Sequence, residues 1–151
     1  MAIEDACSAA SILLCTQADA SELWGFSGDP ETVLRRVARR FSRTRSDQTT
    51  VLTLGADGSA HILGDQYCTI PAYASPGRAR FGSGDAFAAG YLYAYLTNLH
   101  SALNSESDEG TLLRFGNAAA SLKRAIEGDI ATITLDEVVT LVRNEERGRF
   151  R

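Results

Sequence analysis

Cysteine and histidine are scarce in this 151-residue chain, with three of the first and two of the second. Cys7, Cys15 and Cys68 are odd in number and lack CxxC spacing, which argues against a disulfide framework and a zinc site. His61 and His100 stand alone, too few for a histidine-rich metal site, so structural places are expected for both. No apolar run is long enough to span a bilayer, and the start has no signal-peptide pattern. The expectation is a cytoplasmic protein with no membrane partner. A dominant charge sign is missing too. Fifteen basic residues face nineteen acidic ones, and the net charge of −4 offers no general attraction to nucleic acid.

What is present is an ordinary globular composition, 44% apolar and 23% charged, in one domain's worth of chain. The apolar run Ala10–Cys15 reads as a buried strand, and Thr16 with Asp19 has the spacing of a capping box at a helix start. Asp29 and Pro30 open a second helix, expected to reach about Arg43. Thr49–Leu54 reads as a buried strand, "GADG" as a turn, and "SAHIL" and "QYCTIPAY" as two strands around Gly64 and Asp65. A helix from Asp85 to about Asn98 or His100 follows, then the polar connector "NSESDEG". A further helix carries Leu112, Phe115, Ala119, Leu122 and Ile126 and stops at Gly128. Thr134 and Glu137 box in a last helix, expected to end near Val142 before a frayed charged tail.

This order is α/β, with a sheet between helical layers. Only two strands look central, and so small a sheet leaves its edges uncovered. Missing sequence upstream, self-association or a partner chain is therefore expected. Six arginines, Arg35, Arg36, Arg39, Arg40, Arg43 and Arg45, sit mostly opposite Val33, Leu34, Val37 and Phe41, which reads as the solvated face of an amphipathic helix.

The stretch "RFGSGDAFAAGYL" carries the chemistry. Gly82 and Gly84 let the backbone turn sharply and approach a ligand without Cβ clashes. The first N–H groups of a helix lack intrahelical partners, and the positive dipole end draws an anion. Asp85 places a carboxylate at that cradle, able to take a proton as an alcohol attacks phosphorus. The plainer reading is a turn with Asp85 as helix cap. No Gly-Lys-Ser/Thr follows, so this is not a Walker loop, and the third glycine of a dinucleotide fingerprint is absent.

"GSGDAFAAGYLYAYL" resembles the C-terminal signature of the ribokinase-like (PfkB) carbohydrate kinases, and "VLTLGADGSAHILG", "FGNAAASLKRAIEGD" and "ASILLCTQADASEL" resemble other parts of that family in the same order. Arg80–Phe81 and "LKRAIEGDIATITLDEV" resemble its ketodeoxygluconate kinase (2-dehydro-3-deoxygluconokinase) branch. The resemblance implies a three-layer α/β/α fold, here as a single partial domain over residues 1–151. It corresponds to the C-terminal, nucleotide-side portion, without the sugar-binding half and lid. It also implies ATP and Mg2+, and a sugar or sugar acid as acceptor.

By the same resemblance Asp85 is the base, and the N–H groups of Gly82, Ser83 and Gly84 form the anion hole. Thr53, Gly55, Gly58 and Asn117 line the nucleotide. A plain turn remains open for Gly55 and Gly58, and a satisfied polar residue on a packed helix for Asn117. The family's Asn-x-x-Glu appears as Thr16-x-x-Asp19, so Asp19 would serve a hydrated magnesium with a shorter reach, and the capping-box reading stands beside it. An acidic residue common before the glycines is replaced by Ala79. Another ribokinase-like enzyme, such as NAD(P)H-hydrate dehydratase, and a non-catalytic nucleotide-binding fragment are the alternatives.

Overall fold

The run Thr49–Thr53 is β-branched or apolar throughout, so both of its faces suit burial, and it forms a strand with neighbours on either side. The computed structural model describes residues 2–41, 48–75, 81–97, 110–128 and 130–149. These fall into two compact units, one ending at Thr69 and the other beginning at Ile70. Arg43, Arg45, Ala79, Arg80, Asn98, His100 and residues 104–109 of the polar connector lie outside the described residues.

The first unit contains α1 (Ala2–Ala9), β1 (Ile12–Thr16), α2 (Gln17–Trp24), α3 (Pro30–Phe41), β2 (Thr49–Thr53), β3 (Ser59–Leu63) and most of β4 (Gln66–Ile70). The sheet order is β1-β2-β3-β4. β1 runs parallel to β2, pairing Ile12 with Thr49 through to Thr16 with Thr53. β2 and β3 are antiparallel, with Val51 opposite His61 and Leu52 opposite Ala60. A two-residue turn at Gly64–Asp65, with Gly64 at φ 59°, joins β3 to β4 as expected. The four strands read from the sequence thus form one sheet, with β2 and β3 inside it and β1 and β4 at its edges among the described residues.

Helix α3 explains itself from sequence. Asp29 accepts the Thr32 N–H at 3.0 Å as N-cap, and Pro30 takes the first turn. Val33, Leu34, Val37 and Phe41 are all buried, and α3 lies against β2 and β3. Each such side chain contributes roughly 1.5–3 kcal/mol. The described helix ends at Phe41.

Helix α1 is a correction, because the chain was expected to open on a strand. Its hold is not local. Gln48 donates from Nε2 to the carbonyls of Cys7 and Ala10, both at 2.8 Å, satisfying acceptors at the C-terminal end of α1. Glu4 pairs with Arg40 of α3. That contact, first by its hydrogen bond and then by charge, holds the Glu4 carboxyl below its usual range. His61 is wholly buried in β3, and the three cysteines are free thiols. Burial pushes the Cys15 thiol up to about 12, which leaves it unreactive at neutral pH.

The second unit holds α4 (Ser83–Leu96), α5 (Thr111–Arg124) and α6 (Leu135–Arg149). Helices α4 and α5 touch at two glycines. A Cβ on Gly90 would lie 2.7 Å from the Phe115 carbonyl oxygen, and one on Gly116 would lie 2.6 Å from the Phe87 ring. The segment after β4 is laced to α5. Asn117 Nδ2 donates to the carbonyls of Ile70 and Pro71, and Ser121 Oγ to that of Ala74.

Helix α6 opens with the expected box. Glu137 accepts the Thr134 N–H at 2.7 Å, and Thr134 Oγ1 accepts the Glu137 N–H at 3.3 Å. It does not stop near Val142 but runs to Arg149. Glutamate and arginine are strong helix formers, and Val138 and Val142 fix the helix by burial, so the charged turns continue it.

Two outcomes follow from these contacts. Gly90→Ala should lower stability by about 1–2 kcal/mol in urea unfolding, because overpacking against a backbone carbonyl exceeds the helix-propensity gain of about 1 kcal/mol. Thr134 holds the Glu137 carboxyl below its ordinary range, first through its N–H, and Thr32 does the same to Asp29 through its hydroxyl. A carboxyl lowered in the folded state adds stability above its unfolded pKa and loses it as pH falls through the folded one. Urea midpoints should therefore decline below about pH 5, and less steeply in Thr134→Val.

Candidate active site

The glycine motif of the second unit forms the expected turn, with one shift. Gly82, not Asp85, is the N-cap of α4, at φ 73° and ψ 0°, and the helix begins at Ser83. A residue with a Cβ resists that left-handed conformation, so the first glycine is required by the turn. A glycine cap also has no side-chain acceptor to offer the first-turn N–H groups, whose end of the helix carries the positive pole of its dipole. Gly84 has a different part. A Cβ there would meet nothing within 4 Å, so neither packing nor φ demands glycine, and its surface is open to an approaching group. Asp85 is the third residue of the helix, exposed, with no hydrogen-bond or ion-pair partner among the described residues. It does not cap the helix. The buried Ala86 and Phe87 that follow it fix the turn, Phe87 against Gly116 of α5.

Asn117, next along α5, is buried and turned to Ile70 and Pro71, so its amide straps the chain after β4 to the helix. This is the satisfied polar residue of the sequence alternatives.

The remaining candidates belong to the first unit. Thr16 and Thr53 pair at the carboxyl ends of the parallel strands β1 and β2, the end where open α/β sheets place ligands. Asp19 follows Thr16 in the capping box. Its Oδ2 accepts the Thr16 N–H at 3.0 Å, and Thr16 Oγ1 accepts the Asp19 N–H at 2.9 Å. Gly55 and Gly58 follow Thr53 in a tight turn closed by the Leu54 N–H on the Gly58 carbonyl at 2.8 Å. Both have positive φ, 63° and 109°. A Cβ on Gly55 would meet nothing within 4 Å, so the turn geometry alone calls for glycine there. The structure thus brings Asp19, Thr53 and the Gly55–Gly58 turn to one end of β1 and β2, and Asp85 and Asn117 onto two packed helices.

No group of three or more His, Cys, Asp and Glu side chains arranged for a metal occurs among the described residues. Asp19 has only part of its carboxylate committed to the cap, and a carboxylate offers about four acceptor positions. That fits a magnesium ion arriving on nucleotide phosphates and held through water, since such ions need only one or two carboxylates.

The sequence reading missed Lys123. At helical spacing it reads as a surface residue, yet it is fully buried, with Nζ donating to the carbonyls of Gly128 at 2.6 Å and Ile126 at 3.3 Å. It closes the end of α5, and its only signal was the glycine five residues on.

Residues 1–135 match the profile of the pfkB family carbohydrate kinases. The chain belongs to that family. A 2-dehydro-3-deoxygalactonokinase of Haloferax volcanii is 29% identical over 148 residues, covering 95% of this chain and 43% of the relative. The 2-dehydro-3-deoxygluconokinase of Thermotoga maritima superposes with a TM-score of 0.73 at 20% identity, over 93% of this chain and 44% of that one. The aminoimidazole riboside kinase of Salmonella enterica, complexed with aminoimidazole riboside and an ATP analog, gives 0.70 at 22% identity, over 93% and 44%. This pfkB chain therefore has the ribokinase-like α/β fold and spans less than half the length of these relatives.

The two glycines should separate on substitution. Gly84→Ala should stay within about 0.5 kcal/mol of the parent in chemical unfolding, as an uncrowded surface change. Gly82→Ala should cost about 1–2 kcal/mol for forcing an L-residue into the left-handed region.

Proposed function

We propose that this chain is the nucleotide-side portion of an ATP-dependent sugar-acid kinase, acting on a 2-keto-3-deoxy sugar acid. The observation that carries the reading is Asp85, exposed and without a partner among the described residues, behind the Gly82 cap in a pfkB-family chain. Asp85 would take the proton of the acceptor hydroxyl as its oxygen bonds to the γ-phosphorus of ATP. The bond from that phosphorus to the ADP oxygen breaks in the same transfer. The N–H groups of Gly82, Ser83 and Gly84 would carry the charge on the transferred group, where fixed donors act most strongly. Thr53, Gly55 and Gly58 would line the nucleotide. Magnesium, held through water by Asp19, would supply positive charge to the nucleotide phosphates.

The sugar-acid class is supported by the Haloferax relative's own activity and by the sequence resemblance to the ketodeoxygluconate branch. The coverage of 43% of that relative supports a second statement. This portion binds nucleotide, and turnover needs an acceptor-binding portion supplied by further chain or by a partner.

Two measurements test the reading. The isolated chain should gain thermal stability in saturating MgATP and show little or no sugar-dependent turnover. A chimera in which it replaces the matching segment of the Haloferax enzyme should phosphorylate 2-dehydro-3-deoxygalactonate, and Asp85→Asn should reduce kcat by about 10²–10⁴-fold. A folded, MgATP-binding chimera whose rate survives Asp85→Asn would remove Asp85 as base. An isolated chain without any MgATP shift would remove nucleotide binding.

A further inference from the structure

Helix α3 carries more positive charge than its buried stripe needs, and the charge is unevenly placed. Arg35 is neutralised by Glu31 one turn back at 2.7 Å. Arg36, Arg39 and Arg40 stand at i, i+3 and i+4, spacing that puts three side chains on one helix face. With Glu4 and Ser8 of α1 and the rings of Phe26 and Phe41 they line an open groove of about 520 Å3. The helix opposite is the one that sequence reading did not foresee, so the solvated face it assigned to these arginines is one wall of a concavity.

The guanidinium groups are not loose. Arg36 sits over the Phe26 ring at 4.4 Å, and Arg40 lies 5.7 Å from the centroid of Phe41 while pairing with Glu4. Both rings are fixed in the core, at 9% and 2% exposure. Stacked guanidinium groups lose less freedom on binding than free ones, and their forked donors match phosphate oxygens. Arg39 has no counter-ion among the described residues. Three cations against the one carboxylate of Glu4 leave a local charge of two positives in a chain whose net charge is −4. A long polyanion would meet the repulsion of the whole molecule, whereas a small dianion meets only the groove. The volume lies within the range of small-molecule sites, and two aromatic walls suit an organic part beside the charge.

We propose that the groove between α1 and α3 is a second, anion-binding site that takes a phosphate monoester of metabolite size. It shares no residue with the candidate active site and does not depend on that assignment.

A reporter is built in. Trp24 is the only tryptophan of the sequence, and its ring lies 4.8 Å from that of Phe41 and 6.3 Å from that of Phe26. The purified chain would be titrated with 6-phosphogluconate, inorganic phosphate and gluconate at ionic strength held constant with sodium chloride, reading Trp24 fluorescence and heat. A saturable response to 6-phosphogluconate, absent with gluconate, is expected. Arg36→Gln/Arg39→Gln should weaken it by at least about tenfold, as loss of charge-assisted hydrogen bonds requires. Arg35→Gln/Arg143→Gln, which removes equal charge outside the groove, should leave it within about twofold. Inorganic phosphate binding as well as the ester would support the site and name free phosphate as its occupant. Three results would overturn it: no saturable response to either phosphate, an unchanged response in the groove variant, or an equal loss in the control. Phosphate held at Gly82–Gly84 instead would give the second of these. Should the double variant fail to fold by circular dichroism, Arg39→Gln alone, at an exposed residue, carries the comparison.

Discussion

The near-contact of two helix backbones, α4 and α5, is the constraint on which the second unit depends. Gly90 and Gly116 each leave out a side chain where any Cβ would collide with backbone or ring. Helices that approach so closely cannot slide or rotate without losing that fit, because packed interiors hold few voids. Phe87, seated on Gly116, lies two residues beyond Asp85, and Asn117 lies one residue beyond Gly116. A carboxylate on an exposed first turn is thereby given a fixed place by packing a few ångströms away. For the proposed role of Asp85 as base, that fixity would count, since misplacement by one ångström costs rate heavily.

The first unit solves a different problem by different means. Its parallel pair needs a crossover connection, and α2 and α3 provide it with starts that are capped by their own residues. Thr16 and Asp19 bind each other's N–H groups, and Asp29 binds Thr32. The strand end at Thr16 is therefore tied directly to the helix that follows, and the chain leaves β1 in a set direction beside the turn that leaves β2. The Thr16–Asp19 pair thus shapes this exit.

What was legible in the sequence was what is local. The boxes at Thr16–Asp19 and Thr134–Glu137, the Asp29–Pro30 start and the Gly64–Asp65 turn each rest on residues within four positions of one another, and each stands where the spacing put it. The carboxylate and glycines of the candidate site were legible for the same reason, although the helix start moved from Asp85 to Ser83 because a left-handed glycine can cap it. What was hidden depends on distant partners. Helix α1 is held by Gln48, 41 residues from Cys7. Without that helix the arginines of α3 had no opposite wall, so a concavity could only be read as a surface. Lys123 was hidden because its acceptors belong to a turn that no periodicity describes.

Lys123 also bears on the molecule as a charged body. It is the only lysine among the 15 basic residues, and it is buried. Every positive side chain of fixed charge that the described residues present to water is thus an arginine, whose guanidinium stays protonated at any pH a folded protein meets. That arginine charge is permanent, so acidification moves the chain in one direction, from net negative toward net positive.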